Sequence, residues 1–430
     1  MKRVSCRDKQ FKRQLEKLYK GTSLFDSSIE ARVRAIIDEV SSRGDAALID
    51  FTEKFDGIRL KPNQLRVDSE DLQQSGAKIS RDLKKAITEA ESNIRLFSRR
   101  ALRKAWSCRN KHGAKTGEKF DPFQRVGIYI PGGTAPLVST VLMTVTLAKV
   151  AGCSEIVVCT PCNNQGNVNS AIVHALHKAG ATEVYRIGGA QAIAAMALGT
   201  RSIKPVQKIF GPGNAYVVMA KRLLFGYVSV DLLPGPSEVM ILADDTATPS
   251  FIAADILAQA EHGSGYERVC LVSTSSKIID EVELEIKRQL PLLSRKELIQ
   301  KALKNYGWLI HVESMEQGTE IVNRFAPEHC EIMTRNPRQV AKSIRTAGAL
   351  FLGSWSPTVL GDYVAGPSHT LPTGGAGASF AGLTVDQFQR RTSVVEYSQG
   401  QLQKALDTVQ AFASMGGLDA HGRSAAVRME

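Results

Sequence analysis

The distribution of hydrophobic and polar positions divides the chain into helical flanks around a repeating α/β centre. Residues 27–56 and about 80–104 carry apolar side chains at the spacing of one helical face, so each stretch is predicted to be helical. Residues 1–24 show a shorter pattern of the same kind, which predicts one helix too small to form its own core. The apolar positions that define these faces are Phe11, Leu15, Leu18, Ile29, Val33, Ile36, Ile37, Val40, Leu83, Ile87, Ala90 and Ile94.

From Arg125 onward, short apolar runs alternate with glycine turns and helical stretches. The runs VGIYIP, EIVVCT and EVYRI are each followed by a helical segment, and a second series begins at Glu238 with VMILAD. Later helices are predicted over 215–224 in the first series and over 276–304 in the second. Apolar runs between helices are typical of parallel sheets that are covered on both faces. We therefore predict an α/β fold with two parallel-sheet units. Ligands of such folds bind beyond the carboxyl ends of the strands, where the glycine turns of the first unit lie.

Two stretches near the end of the chain lack this alternation. Residues 354–383 are rich in Gly, Ser, Pro and Thr without a regular period. So long a loop in a compact protein is more often functional than idle. Residues 384–430 have a helical pattern with one apolar side, which they could not bury alone. We expect this C-terminal segment to dock on another domain or another subunit.

Composition indicates a globular protein of two or three domains. The chain has 430 residues, of which 43% are hydrophobic and 23% charged. No apolar run approaches the roughly 18 residues that span a membrane, and the basic N-terminus lacks the apolar region of a secretory signal. Seven scattered cysteines indicate reduced thiols in the cytoplasm rather than a disulfide framework.

The net charge of +12 is compatible with two kinds of surface. Lys and Arg number 55 against 43 Asp and Glu, and such a surplus can favour nucleic acid or anionic cofactors. The basic residues are spread through the chain, and no zinc-finger or RNA-binding motif accompanies them. We therefore expect a solvated basic surface, with no nucleic-acid partner and no membrane partner.

The helix predicted over 251–262 ends in two side chains that can bind a metal. Gln259 and His262 lie about one turn apart on the same face. A surface helix whose polar end faces water gives the same local pattern, so this stretch alone does not decide. Asp362 and His421 could complete a set of nitrogen and oxygen ligands without thiolate. Such a set suits Zn²⁺, and Mn²⁺ or Co²⁺ could substitute.

Glu328 and His329 are candidate proton-transfer groups. They follow Pro327 and come just before the apolar run CEIM. A regular strand would send the two side chains to opposite faces, but at a strand mouth after a proline both can reach one pocket. Histidine acts as a base near neutral pH, and a glutamate can act beside it if its pKa is raised. His369, in the long loop, is a further candidate for ligand or substrate contact.

Two glycine turns of the first α/β unit would let a backbone approach a cofactor closely. They lie at 131–133 and 211–214, and neither has the GxGxxG pattern of a dinucleotide-binding turn. Glycine turns are common, so these two alone do not identify a cofactor.

Eight segments, taken in order, resemble the histidinol dehydrogenase family. They are GIYIPGGTAPLVSTVLM, IGGAQAIAA, FGPGNAYV, DLLPGPSEV, LAQAEHG, FAPEHCEI, LGDYVAGPSHTLPT and GLDAHGRS. The resemblance covers most of the chain. It implies oxidation of L-histidinol to L-histidine through an aldehyde, with two NAD⁺, at the end of histidine biosynthesis. It also implies a zinc-dependent homodimer with two incomplete Rossmann-like domains and small helical terminal segments exchanged across the dimer.

The resemblance further implies a role for each site residue. Glu328 would activate water for the second oxidation, and His329 would contact substrate as the base that takes the alcohol proton. The other matches are the zinc and substrate ligands Gln259, His262, Asp362 and His421 (the last donated across the dimer), the substrate contacts Ser237 and His369, and the NAD contacts Tyr129, Gln191 and Asn214.

The same resemblance implies four parts in this chain. Residues 1–24 would be an N-terminal helical segment, and 384–430 a C-terminal helical segment. Residues 25–107 together with 237–383 would form a first α/β domain that carries the metal and catalytic residues. Residues 108–236 would form a second, NAD-contacting α/β domain.

One position departs from the family pattern. Five residues before His421 the family usually has a glutamate that contacts substrate, and this chain has Gly416. Loss of a carboxylate would weaken substrate recognition by roughly 1–3 kcal/mol, for which Asp419 could compensate. Three alternatives stay open: a related zinc- and NAD-dependent dehydrogenase of another diol or amino alcohol (for example a sulfonated propanediol), a metal-dependent hydrolase, and a basic nucleic-acid binder.

Overall fold

The computed structural model describes residues 1–20, 26–132 and 136–430. Its strands form two parallel sheets and one small antiparallel sheet. Each parallel sheet has a separate apolar core on either face, because helices cover both sides. The predicted α/β architecture is therefore confirmed. Within the described ranges, every helix is too short or too polar to cross a membrane.

The regular elements run in chain order as follows. The strands are β1 (Lys2–Ser5), β2 (Trp106–Arg109), β3 (Lys115–Pro122), β4 (Arg125–Tyr129), β5 (Glu155–Thr160), β6 (Glu183–Arg186), β7 (Lys208–Phe210), β8 (Ser229–Val230), β9 (Glu238–Ala243), β10 (Arg268–Ser273), β11 (Gly307–His311), β12 (His329–Met333), β13 (Ala349–Leu352) and β14 (Gln389–Glu396). The helices are α1 (Phe11–Tyr19), α2 (Ser27–Arg43), α3 (Asp45–Asp56), α4 (Ser69–Gln74), α5 (Arg81–Ala101), α6 (Val138–Ala151), α7 (Ser170–Ala179), α8 (Gly189–Leu198), α9 (Ala215–Leu224), α10 (Pro249–Ala260), α11 (Ser276–Gln289), α12 (Lys296–Tyr306), α13 (Met315–Phe325), α14 (Pro337–Ala341), α15 (Thr358–Tyr363), α16 (Gln399–Gly416) and α17 (Asp419–Ala426).

The larger parallel sheet has six strands in the order β1-β11-β10-β9-β12-β13. Every residue of β9, β10 and β12 is buried, which explains their unbroken apolar runs. In the register of this sheet, His329 at the start of β12 pairs with Val239 of β9. The amino ends of these two strands therefore lie side by side.

The smaller parallel sheet has five strands in the order β6-β5-β4-β7-β8. Helices α2 and α3 pack on one face of it, where Val33 and Leu48 share a core with Val157. Helix α5 packs on the other face through Ile94. This packing corrects the predicted grouping of 25–107 with 237–383, since α2, α3 and α5 belong with the five-stranded sheet. The helical period showed which faces were apolar, but not which sheet would cover them.

Both chain ends contain a strand where only helix was predicted. Residues Lys2–Ser5 form the edge strand β1 of the six-stranded sheet, and helix α1 packs on that sheet. In the segment 384–430, β14 joins β3 and β2 in the antiparallel sheet before α16 and α17 follow. Both all-helical assignments are corrected, because a four-residue edge strand and a largely exposed one leave no period in the sequence. Residues 21–24 of the first segment lie outside the described residues.

Candidate active site

Glu328 and His329 lie at the amino end of β12. Helix α13 ends at Phe325 and is followed by Ala326, whose φ of 51° makes it the one non-glycine residue of the described ranges in the left-handed region. A left-handed alanine costs roughly 1–2 kcal/mol, so the turn is held by the surrounding structure. Pro327 then leads directly into the strand. The turn directs Glu328 and His329 toward the same backbone, that of Glu238 at the start of β9.

The backbone of Glu238 contacts both side chains. Its N–H donates to Oε2 of Glu328 at 2.7 Å, and Nδ1 of His329 donates to its carbonyl at 3.0 Å. The hydroxyl of Ser237 donates to the same Glu328 oxygen at 2.5 Å. Because a carbonyl can only accept, the proton of a neutral His329 ring is on Nδ1. The Nε2 atom of His329 therefore keeps a free lone pair.

Burial gives the two groups opposite pKa shifts, both of which favour the neutral form. Burial raises the pKa of Glu328 to about 7, against the hydrogen bonds from Ser237 and Glu238 that lower it. Burial also lowers the pKa of His329, against the nearby charge of Asp362. A carboxyl group that titrates near pH 7 beside a neutral imidazole gives two proton acceptors that work at neutral pH.

Helix α10 ends beside this pair with Gln259 and His262. Gln259 is 2% exposed, and its Nε2 has no hydrogen-bond partner in the part of the chain that the structure describes. His262, just beyond the helix, donates from Nδ1 to the carbonyl of Gln259 at 3.2 Å, which leaves its Nε2 free. A metal ligand needs a free donor atom on a side chain that other contacts orient. Both residues meet this requirement, since a flip of the amide would present the Gln259 oxygen in place of the nitrogen.

Helix α15 supplies Asp362 from the long loop that was predicted to be functional. Its Oδ1 lies 3.7 Å from Nδ1 of His369. Burial raises the pKa of Asp362, but the pairing with His369 and the charges of His329 and His262 outweigh burial and lower it. The carboxylate is thus ionised at neutral pH. Nε2 of His369 lies 3.3 Å from the hydroxyl of Thr140 on α6, so this histidine links the parts built on the two sheets.

The chain alone does not complete the predicted metal set. In the part of the chain that the structure describes, no three His, Cys, Asp or Glu side chains lie close enough to hold a metal ion. Gln259, His262 and Asp362 offer free or ionised donors and fit a metal, whereas His421 is exposed on α17. The neighbours of His421, among them Tyr397, belong to the C-terminal segment.

A cavity of about 1370 Å³ opens at the carboxyl ends of the five-stranded sheet. Its volume exceeds the roughly 300–1,000 Å³ of drug-sized sites, so it has room for a dinucleotide. Tyr129, Gln191 and Asn214 all line it. The Tyr129 hydroxyl accepts from the N–H of Gly189 at 3.0 Å, and Oε1 of the buried Gln191 has no hydrogen-bond partner among the described residues. Of the predicted glycine turn at 131–133, the last residue lies outside the described residues.

A buried ion pair holds the glycine turn that follows β7. A side chain at Gly211 would meet the carbonyl of Tyr129 at 2.2 Å, and its φ is 109°, so only glycine fits there. Lys221 pairs with Asp231, and its Nζ also donates to the carbonyls of Gly211 at 3.0 Å and Leu232 at 2.7 Å. Asp231 accepts from the N–H of Gly211 at 2.8 Å. The turn that leads to Asn214 is thereby fixed against the cavity.

Two buried carboxyl groups behind the site were missed from the sequence. Glu331 lies two residues after His329 on the same strand face, and Asp255 lies one turn before Gln259 on α10. Burial and the neighbouring Asp255 raise the pKa of Glu331, and burial raises that of Asp255 to about 6. Glu331 also accepts from the N–H of Thr358, the first residue of α15, at 2.9 Å. The sequence does contain a signal for them, since each is an acidic residue at a position where the pattern of a buried helix or a buried strand calls for an apolar side chain.

Comparisons with known proteins agree with this arrangement. The model of the family described as histidinol dehydrogenase matches residues 20–429. The histidinol dehydrogenase of Geobacillus kaustophilus is 43% identical over 422 residues, which cover 97% of this chain and 99% of the relative. That of Bacillus subtilis is 41% identical over 396 residues, 92% of each chain. The crystal structure of the Elizabethkingia anophelis histidinol dehydrogenase matches with a TM-score of 0.95 and 34% identity, covering 100% of this chain and 98% of that one. The chain therefore belongs to the histidinol dehydrogenase family.

Proposed function

We propose that this protein oxidises L-histidinol to L-histidine through L-histidinal, reducing two NAD⁺ in the last steps of histidine biosynthesis. Membership of the family supports this activity. The observation that carries it is the buried pair of Glu328 and His329, two proton acceptors beside the unsatisfied donors of Gln259 and His262. Oxidation of an alcohol releases the hydroxyl proton, and oxidation of an aldehyde releases a proton from the added water, so each step needs a proton acceptor and this pair can supply one for each.

His329 is the base of the first oxidation. Its Nδ1–H donates to the carbonyl of Glu238, which orients the ring and makes Nε2 the accepting atom. Burial keeps the ring neutral before the reaction. Once His329 has taken the hydroxyl proton, the ionised Asp362 nearby favours the imidazolium.

Glu328 is the base of the second oxidation, in which water adds to the aldehyde. Its pKa of about 7 leaves a substantial fraction ionised at neutral pH and gives the carboxylate more basicity than an exposed glutamate has. The hydrogen bonds from Ser237 and from the N–H of Glu238 keep the charged form in place. Ser237, which holds this carboxylate, is also the proposed substrate contact, together with His369.

The residues that would hold zinc are Gln259, His262, Asp362 and His421 of a second copy. The set consists of nitrogen and oxygen donors, as zinc prefers in catalytic sites. Bound zinc supplies a Lewis acid that orients the imidazole and amine nitrogens of the substrate. Because Asp362 is the one anionic ligand, the site would keep a net positive charge, which suits neutral nitrogen donors of a substrate.

The cavity at the five-stranded sheet is the proposed NAD⁺ site. The cofactor supplies the hydride acceptor for both oxidations. Tyr129 at the end of β4, Gln191 in the first turn of α8 and Asn214 just before α9 line this cavity. The unpartnered Oε1 of Gln191 is free to accept a hydrogen bond from an amide or hydroxyl of the ligand.

The stoichiometry of NADH formation tests the reaction. Zinc-loaded protein with L-histidinol and excess NAD⁺ should form two NADH for each histidine, measured by absorbance and chromatography. A matched incubation with a sulfonated propanediol tests the alternative dehydrogenase. Absence of NADH with L-histidinol, from protein shown to contain zinc and to bind NAD⁺, would contradict the proposal.

We also propose a homodimer with shared sites. Apolar side chains of the C-terminal segment stay uncovered in the single chain, including Phe412 and Met415. His421→Ala and His262→Ala variants should each be inactive, and a 1:1 mixture should recover about a quarter of wild-type activity, because half the dimers are hybrids with one intact site. No recovery after subunit exchange, demonstrated by mass spectrometry, would count against sharing.

The cytoplasm is the compartment we propose for this reaction. All seven cysteines are free thiols, and five of them are buried. Free thiols are the normal state of proteins in a reducing compartment.

A further inference from the structure

Asp56 is a carboxylate at the wall of the proposed cofactor cavity, and no residue of the described ranges pairs with it. It is the last residue of α3 and lines the cavity. Its Oδ2 is buried and has no hydrogen-bond partner. Burial raises its pKa to about 6.

The position of Asp56 costs stability in two ways. An unpaired carboxylate loses hydration on burial without gaining a compensating contact. A negative charge at the carboxyl end of a helix also opposes the helix dipole. No contact of Asp56 within the described residues offsets these costs. A hydrogen-bond donor from a ligand in the cavity would offset them.

The sheet topology indicates which part of a dinucleotide lies near Asp56. In Rossmann-type folds the second strand commonly ends in an acidic residue that binds the ribose hydroxyls of the adenosine half. Strand β5 occupies that place beside β4, and the residues that follow it, PCNNQGN at 161–167, contain no acid. Helix α3 reaches this turn from outside the sheet. A side chain at Gly57 would lie 3.9 Å from Cβ of Asn164, and the charge of Asp56 acts on Cys162.

Resting on the proposed NAD⁺-dependent reaction, we propose that Asp56 accepts hydrogen bonds from the adenosine ribose hydroxyls and thereby selects NAD⁺ over NADP⁺. Helix α3 supplies the carboxylate that the residues after β5 lack. A 2′-phosphate would replace a donor with a dianion facing this carboxylate. Two cations also line the cavity. Arg32 donates to the hydroxyl of Tyr216 at the start of α9, across the sheet from the β5 turn, and Lys54 lies over the ring of Phe55, 5.5 Å from its centre.

Ligand binding without turnover tests this assignment. Calorimetric titration of the zinc-loaded protein, without histidinol, gives dissociation constants for NAD⁺, NADP⁺, ADP-ribose and nicotinamide mononucleotide. Asp56→Asn should weaken NAD⁺ and ADP-ribose binding by roughly tenfold or more, because hydrogen bonds to a charged group are the stronger ones. It should leave nicotinamide mononucleotide unaffected and reduce the preference for NAD⁺ over NADP⁺.

Glu53→Gln is the matched control. Glu53 lies on the same helix as Asp56, outside the residues that line the cavity, and is paired with Arg59, so its substitution should change neither affinity nor preference. Asp56→Asn should also melt at a higher temperature than wild type without ligand, since the variant removes a buried unpaired charge. This second readout shows that weaker binding does not come from misfolding.

The outcomes separate this inference from the proposed reaction. If wild-type protein binds and reduces NAD⁺ while Asp56→Asn keeps both affinity and preference, the role of Asp56 is overturned and the reaction stands. A loss confined to nicotinamide mononucleotide would also overturn it, because Asp56 would then face the other half of the cofactor. If wild-type protein binds no NAD⁺, the proposed reaction and this inference both fail.

Discussion

Glu328→Gln separates the two proton acceptors that we assign to the two oxidations. The amide keeps an oxygen that can accept from Ser237 and from the N–H of Glu238, so the side chain stays in place but loses its basicity. We expect oxidation of L-histidinal to fall by roughly 10²–10⁴-fold, the usual contribution of a general base. Oxidation of L-histidinol to the aldehyde should keep most of its rate, because His329 is unchanged.

The same substitution has a stability effect whose sign follows from the structure. Burial raises the pKa of Glu328 from 4.5 to about 7, so ionisation is harder in the folded state than in the unfolded state. The resulting penalty is absent below pH 4.5 and complete above pH 7. At about 1.4 kcal/mol per pKa unit, Glu328→Gln should raise the free energy of unfolding by up to roughly 3 kcal/mol in alkaline buffer. At low pH it should change little.

Two measurements check these expectations. Stopped-flow formation of NADH, started from either L-histidinol or L-histidinal, reports the two steps separately. Urea denaturation on both sides of pH 7 reports the stability change. Glu89→Gln, at an exposed position on α5, is the control for loss of a carboxylate. Unchanged oxidation of L-histidinal by Glu328→Gln, or a variant less stable than wild type at alkaline pH, would refute the reasoning.

Three further substitutions test other parts of the site. His329→Ala should lower turnover of L-histidinol by roughly 10²–10⁴-fold with zinc content unchanged by elemental analysis, whereas His177→Ala on the exposed face of α7 should change neither. Lys221→Met leaves Asp231 buried without its cation, so urea denaturation should show that the free energy of unfolding falls by about 3–5 kcal/mol. Calorimetry should show weaker NAD⁺ binding, and normal binding would contradict a role of this pair in fixing the cofactor turn. Gly416→Glu should fold normally, because a side chain there meets only an ordinary contact at 3.5 Å, and should lower the KM for L-histidinol by roughly tenfold. An unchanged KM would show that a carboxylate at this position has no part in substrate recognition here.

The elements that could be predicted are those whose pattern is local. Helix α9 was predicted over 215–224 and has those bounds in the structure, because an apolar face follows a glycine turn. The predicted helical stretch 276–304 is instead two helices, since Pro291 interrupts the hydrogen bonding between them. The predicted stretch 27–56 likewise breaks at Gly44, whose φ of 54° ends α2. Assignment of α2 and α3 to a sheet depends on contacts distant in sequence, and no local pattern contains that information.

The same distinction holds for the candidate site. Neighbours in sequence, such as Glu328 with His329 and Gln259 with His262, can be recognised as pairs from the order of residues alone. The environment of these pairs cannot be recognised from the sequence, because the pKa shifts come from burial and from Glu238, which is distant in sequence. The roles that the resemblance implies for these residues stay predictions until the substitutions above are measured.

The site combines the carboxyl ends of one sheet with the amino ends of the other. The rule that ligands of α/β proteins bind at the carboxyl ends of the strands therefore locates only the cavity. The cavity with Tyr129 and Gln191 lies at the carboxyl ends of the five-stranded sheet, where ligands of α/β proteins usually bind. Glu328 and His329 instead lie at the amino end of β12, where no following helix offers its N-terminus. There, burial shifts the pKa of both acceptors, and the backbone of Glu238 holds their side chains in place. A reaction that joins a cofactor to proton acceptors therefore requires the two sheets to face each other, and His369, between Asp362 and α6, is the side chain that bridges them.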